Sequence, residues 1–415
     1  MRRLKYISIC IVILIVWTGL VNLATLSGIL LHPIAKDSSP AAFIEASKKA
    51  LEKEFVGNLA MILIEDGEAT DDMYYSIDKP INHRTIFQMA SVSKWLTAWG
   101  VWSLVEDGRL DLDQSVEHYL TRWHLPESEF NNQDVTIRNL LSHTSGLTDG
   151  LGYAGFASAD SVQTIEASLT KAADAFWSDG IVRVGYAPNS RYQYSGGGYT
   201  LLQLVIEEIS GQSFNAFMKE SVFEPLGMYN TSFYWSDTSS LEIARFYDTD
   251  TMITPHYIYT ALAAASCYSN IEDMTLFLKA NVSKNPVLKE ETVKLMYAAG
   301  NLKGQGTHGL GPMVFGKNGA GDFIIGHDGI SRPAINTAAR INLHTKDGII
   351  VLNTGNWSFA SSTADHWAYW KTKIPNNTIM ASGFKGIIAL LVVGYLLILL
   401  TTIYIYKRRG LHKAM

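Results

Sequence analysis

Ser91 and Lys94 stand three residues apart at the head of an apolar segment, Ser91-Val-Ser-Lys94-Trp95-Leu96. On a helix that spacing is one turn, so both side chains share a face. A serine hydroxyl is a weak nucleophile that needs an adjacent base. A lysine serves as that base where burial or nearby cations lower its ordinary pKa of about 10.4. The chemistry is attack on an amide or ester carbonyl. Taken alone, the pair describes a helix N-cap followed by a solvated lysine, and the spacing recurs at Ser76–Lys79, Ser168–Lys171 and Ser382–Lys385. Context separates the copies. Ser76–Lys79 runs into Pro80, which opposes a helix. Ser168–Lys171 lies on a small-residue, surface-type helix, and Ser382–Lys385 adjoins the terminal apolar run. Ser91 follows an apolar approach, Ile86 to Ala90, and opens a long apolar helix.

Elements that must hold this pair are visible in the pattern. Helical periodicity runs through Trp95, Leu96, Trp99 and Val101, through Tyr199 to Ile209, and through Met274 to Ala280. Val56 to Glu65, Phe323 to Ile325, Ala338 to Leu343 and Gly348 to Asn353 read as strands. Strands at both ends with helices between predict an α+β fold: an antiparallel sheet flanked by helices, with an all-helical insertion. The net charge of −5 leaves no basic footprint for nucleic acid. Cys10 and Cys267 are not placed to pair. The absence of His-Glu-x-x-His and Cys-x-x-Cys spacings argues against a metal site, and no cofactor is called for.

Each end carries an apolar run. Arg2-Arg3-Leu-Lys5 precedes Tyr6 to Leu31, longer than the about 20 residues that cross a bilayer. Ile7 to Leu20 alone matches a signal-peptide core, and the anchor is the preferred reading. Gly386 to Tyr406 carries no charge and meets Lys407-Arg408-Arg409, which reads as a second spanning helix. Basic residues at both outer ends place both termini in the cytoplasm and the intervening chain outside.

Phe87-Gln-Met-Ala-Ser91-Val-Ser-Lys94-Trp-Leu-Thr-Ala98 resembles the active-site segment of class C β-lactamases and related penicillin-binding hydrolases. The resemblance continues in chain order through Gly108-Arg-Leu-Asp-Leu-Asp113, Ile137-Arg-Asn-Leu-Leu141-Ser-His143-Thr-Ser-Gly-Leu147 and Glu224-Pro-Leu-Gly-Met228. It implies a membrane-anchored serine hydrolase forming an acyl-enzyme on amides or esters, with D-residue peptides or envelope compounds as substrates. An esterase or transacylase on the same fold, or a silent binding domain, is the alternative. The implied organisation is an N-terminal anchor or signal sequence at 1–32, the hydrolase domain at 40–375, a spanning helix at 385–407 and a basic cytoplasmic tail at 408–415. The implied location is a bacterial cytoplasmic membrane, with the domain on the extracytoplasmic side.

The family supplies a tyrosine that takes and returns the proton. Tyr268-Ser-Asn270 matches its motif literally, whereas Tyr194-Ser195-Gly196 lacks the asparagine. The neighbours of Tyr194, Pro188 before it and the helix from Leu201 after it, resemble the family segment, so Tyr194 is the catalytic candidate. Gly196 removes an amide that often holds substrate. In place of the family's Lys-Thr-Gly stands His327-Asp-Gly329, followed by Ile330-Ser-Arg332. The resemblance implies an oxyanion hole from the N–H groups of Ser91 and Ile330, with Ser195, His327, Gly329 and Arg332 around the substrate. His143 belongs to a loop-ordering signature.

Overall fold

The computed structural model describes residues 2–411 apart from 55, 150–151, 235–241, 299–307 and 318–322. It divides into two units, Ser39–Ala364 and the paired ends Met1–Ser38 with Asp365–Met415.

In the larger unit, strands β1 (Asn58–Glu65) and β2 (Glu68–Ser76) share one sheet with strands from the far end of the chain. Those are β5 (Met313–Lys317), β6 (Phe323–Ser331), β7 (Ile335–Asn342) and β8 (Gly348–Thr354). The sheet order is β2-β1-β8-β7-β6-β5 and every pairing is antiparallel. β7 and β8 are buried at every position, which explains the apolar run Ile349 to Leu352 of β8, while β7 buries Asn336, Arg340 and Asn342 as well. β2 escapes the sequence pattern because its Glu68, Thr70 and Asp72 are exposed on the sheet edge, where charge discourages further pairing. A short pair, β3 (Phe87–Gln88) with β4 (Tyr268–Ser269), ties the approach to Ser91 to the middle of the chain.

Between the two halves of the sheet the regular elements are mainly helices. One helix, α2 (Pro40–Leu51), precedes β1. After β3 comes α3 (Ser93–Glu106), whose Trp95, Leu96, Trp99 and Trp102 are all buried. A helix apolar all round belongs in the centre of a core. Further on, α4 (Gly196–Ser210) is capped by Ser195, and α5 (Ile271–Ala280) is capped by Asn270 accepting from the Asp273 amide.

The smaller unit contains α1 (Arg2–Leu26) and α6 (Asn377–Leu411), both long and apolar enough to cross a membrane by length and composition. They touch closely: Gly394 leaves room for the Trp17 ring, and Thr18 Oγ1 and the Tyr395 hydroxyl lie 2.6 Å apart. Small residues and interhelical hydrogen bonds are what bring apolar helices together in lipid. α1 ends before Leu31 and α6 starts well before Gly386, because helical backbone extends or stops independently of apolar composition. The expected tail at 408–415 lies partly outside the described residues, from 412 onward.

Candidate active site

Ser91 sits in a 3-10 turn, Ala90–Val92, and the α-helix proper begins at Ser93. The expectation that Ser91 opens the α-helix is thus corrected by two residues. Ser93 Oγ donates to the Ala90 carbonyl at 2.5 Å and accepts from the Cys267 amide at 3.0 Å, which pulls this turn tight. Ala90 has φ +47°, an uncommon conformation for a residue with a side chain. It is held from both sides. The Met89 amide donates to the Cys267 carbonyl at 2.7 Å, and Thr337 Oγ1 donates to the Met89 carbonyl at 2.7 Å.

Lys94 is buried, and its Nζ donates to Ser91 Oγ at 3.3 Å and to the Ala264 carbonyl at 2.8 Å. Its Nζ also lies 4.8 Å from the centre of the Tyr194 ring. Tyr194 is therefore the tyrosine brought to the pair. The fully buried Tyr268 instead accepts from Gln88 Nε2 at 3.1 Å, next to β3.

Gly329 brings β6 against the nucleophile turn. A Cβ there would lie 2.2 Å from Thr337 Oγ1 and 2.3 Å from the Met89 carbonyl oxygen, so no side chain fits. Ile330 follows, exposed, on the wall of a cleft of about 300 Å³. Ser91 and Lys94 line that cleft, together with Tyr153, Phe176, Trp177, Ser331, Arg332 and Trp357.

Two expected substrate contacts lie elsewhere. Ser195 is buried: its Oγ donates to Asp149 Oδ1 at 2.5 Å and accepts from the Gly198 amide at 2.7 Å, so it caps α4. His327 is buried as well, and its Nδ1 donates to the Asp328 carbonyl at 2.6 Å. It faces His308, with ring centres 6.3 Å apart, rather than the cleft. His308 also lies 5.2 Å from His143, whose ring packs on Tyr194 at 4.4 Å. Burial first, and then the charge of Lys94 and the neighbouring histidines, pushes His143 and His327 well below the usual histidine value. His308 is lowered to about 4 by the same burial and by Lys94. Neutral imidazoles thus surround the lysine. His143 also accepts from the Ser195 amide at Nδ1, 3.1 Å, in keeping with the loop-ordering role expected for it.

Asp149, His308 and Tyr153 were not legible in sequence. Each lies far from Ser91 in the chain, with no motif or spacing that marks it. Burial raises the Asp149 carboxyl, while Ser195 and the Gly197 amide oppose the rise. Among the described residues no group of three metal-ligating side chains is assembled.

Residues 49–372 match the family model described as beta-lactamase. The chain belongs to that family. It is 41% identical over 157 residues to penicillin-binding protein 4* of Bacillus subtilis, covering 38% of this chain and 32% of that protein. The chain thus spans about a third of that relative's length. Among solved structures it is similar to the octameric penicillin-binding protein homologue of Pyrococcus abyssi, at TM-score 0.66 and 24% identity, over 80% of this chain and 76% of that one. The D-amino acid amidase of Ochrobactrum anthropi bound to D-phenylalanine gives TM-score 0.62 at 20% identity, over 83% and 99% of the two chains. At these identities the two structures share the beta-lactamase fold.

Proposed function

We propose that this protein is a membrane-tethered hydrolase that cleaves amides or esters through an acyl-enzyme on Ser91, with D-residue peptides or related envelope compounds as substrates. The meeting of Ser91 Oγ and the Tyr194 ring on Lys94 Nζ, beside a cleft that Ser91 and Lys94 line, carries the reading. The D-amino acid amidase among its structural neighbours supports the substrate class. Ser91 Oγ bonds to the acyl carbon as its proton passes to the Lys94–Tyr194 pair. The carbonyl oxygen gains charge and is held by the N–H groups of Ser91 and Ile330. The C–N or C–O bond then breaks, and the leaving amine or alcohol takes the proton. Water attacks the acyl carbon, its proton returns through the same pair, and Ser91 is released. The terminal helices and the cations Lys407 and Arg408 near the end of the second support a tethered domain outside a bacterial cytoplasmic membrane.

One observation favours esters over β-lactams. His327 occupies the place of the family's lysine and is held neutral, so it offers no fixed cation to a substrate carboxylate. Turnover of nitrocefin, D-Ala-D-Ala peptides and p-nitrophenyl esters by the full-length protein in detergent separates the substrate readings. Turnover of the D-peptides sustains the proposal; turnover of esters alone replaces it with an esterase.

A further inference from the structure

Gly196 leaves no side-chain amide to hold a peptide group of the substrate, and its place is not empty. A Cβ there would lie 2.9 Å from Tyr153 Cε2, so the tyrosine ring fills the space that a larger residue would need. The Tyr153 hydroxyl accepts from Thr200 Oγ1 at 3.4 Å, within the core of the unit. Its ring lines the cleft. Phe176 and Trp177 continue that wall edge to face, with ring centres 4.5 Å apart. Both are exposed, Trp177 by 69%, and exposed Ile330 and Trp357 line the same cleft. Large apolar side chains exposed together mark a binding surface. Arg332 backs the wall, its guanidinium carbon 4.3 Å from the centre of the Phe176 ring.

We propose that Tyr153, Phe176 and Trp177 form an aromatic subsite that selects substrates carrying a bulky apolar acyl group. This deepens, and rests on, the acyl-enzyme reading of Ser91. The acyl group remains in the cleft through both steps while the leaving group departs, so the walls of the cleft discriminate on it twice. A pocket of this kind gains about tenfold or more for each well-placed apolar group.

The test uses one leaving group and two acyl groups. Full-length protein in detergent is mixed with p-nitrophenyl acetate or p-nitrophenyl phenylacetate, and the rate of the mass adduct at Ser91 is followed for each. The phenylacetyl adduct is expected to form about tenfold faster or more. That ratio should fall severalfold in Trp177→Ala and in Phe176→Ala, both at exposed positions that leave the core packing in place. Equal rates for the two esters, or a ratio unchanged in both variants, overturn the aromatic subsite alone. Absence of any adduct at Ser91 overturns the acyl-enzyme reading and the subsite with it.

Discussion

Lys94 Nζ lies 4.8 Å from the centre of the Tyr194 ring while it donates to Ser91 Oγ at 3.3 Å, so one buried amine touches both groups between which the proposed reaction moves its proton. The chain brings them together from distant segments: α3 carries the lysine, and the loop before α4 carries the tyrosine. Replacing Lys94 by Met keeps the length and loses the cation. Acylation of Ser91 by a p-nitrophenyl ester should slow at least about a hundredfold, with the thermal midpoint kept within a few degrees.

The two tyrosines differ in what they lose. Tyr194→Phe removes only the hydroxyl and should lower kcat about a hundredfold or more. Tyr268→Phe removes the partner of Gln88 Nε2 at a buried position. It should cost about 1 kcal/mol of stability and leave kcat near the wild-type value. The reverse pattern, read by ester turnover beside thermal unfolding, would move the proton-transfer role to Tyr268.

Gly329→Ala places a methyl group against Thr337 Oγ1 and the Met89 carbonyl. Strand β6 must move away from the nucleophile turn, and overpacking of this kind costs about 1–3 kcal/mol. Ile330 moves with it, so Ser91 acylation should slow along with a lower thermal midpoint. Unchanged acylation in this variant would remove Ile330 N–H from the oxyanion site.

Acid should act through the buried histidines. An unfolded histidine titrates near 6.5, whereas His308 in the fold stays neutral down to about 4. Below pH 6.5 the unfolded chain takes up a proton that the fold refuses, so stability falls from there to about pH 4. For His308 alone the loss is roughly 3 kcal/mol. His143 and His327 act in the same direction, and the raised carboxyls of Asp149 and Asp273 act against it. His308→Asn isolates this contribution: its thermal midpoint should fall less steeply between pH 6.5 and 4 than the wild type's does. Equal slopes would contradict the buried neutral His308.

The sheet's buried strands and the helices carrying Lys94 and following Tyr194 were legible because each has a local signature. These are the apolar runs of β1 and β8 and the helical periodicity after Ser91 and through Tyr199 to Ile209. β2 was not legible, because an exposed polar edge breaks the alternation that marks a strand. The site divides the same way. Ser91, Lys94 and Tyr194 sit in short motifs, whereas Tyr153, Asp149 and His308 become neighbours of the site only when the chain closes. Ser195 and His327 show the limit of motif reading. Position beside the site placed them in contact with substrate, but cap geometry and strand alternation turn their side chains inward.

The measurement that bears most directly on the account is labelling by a fluorophosphonate, followed by peptide mass mapping of wild type and Ser91→Ala, with folding of both checked by circular dichroism. The account predicts a single adduct on the peptide carrying Ser91 in the wild type and none in the variant. A folded wild type that takes no label, or a label that persists in Ser91→Ala, would contradict it.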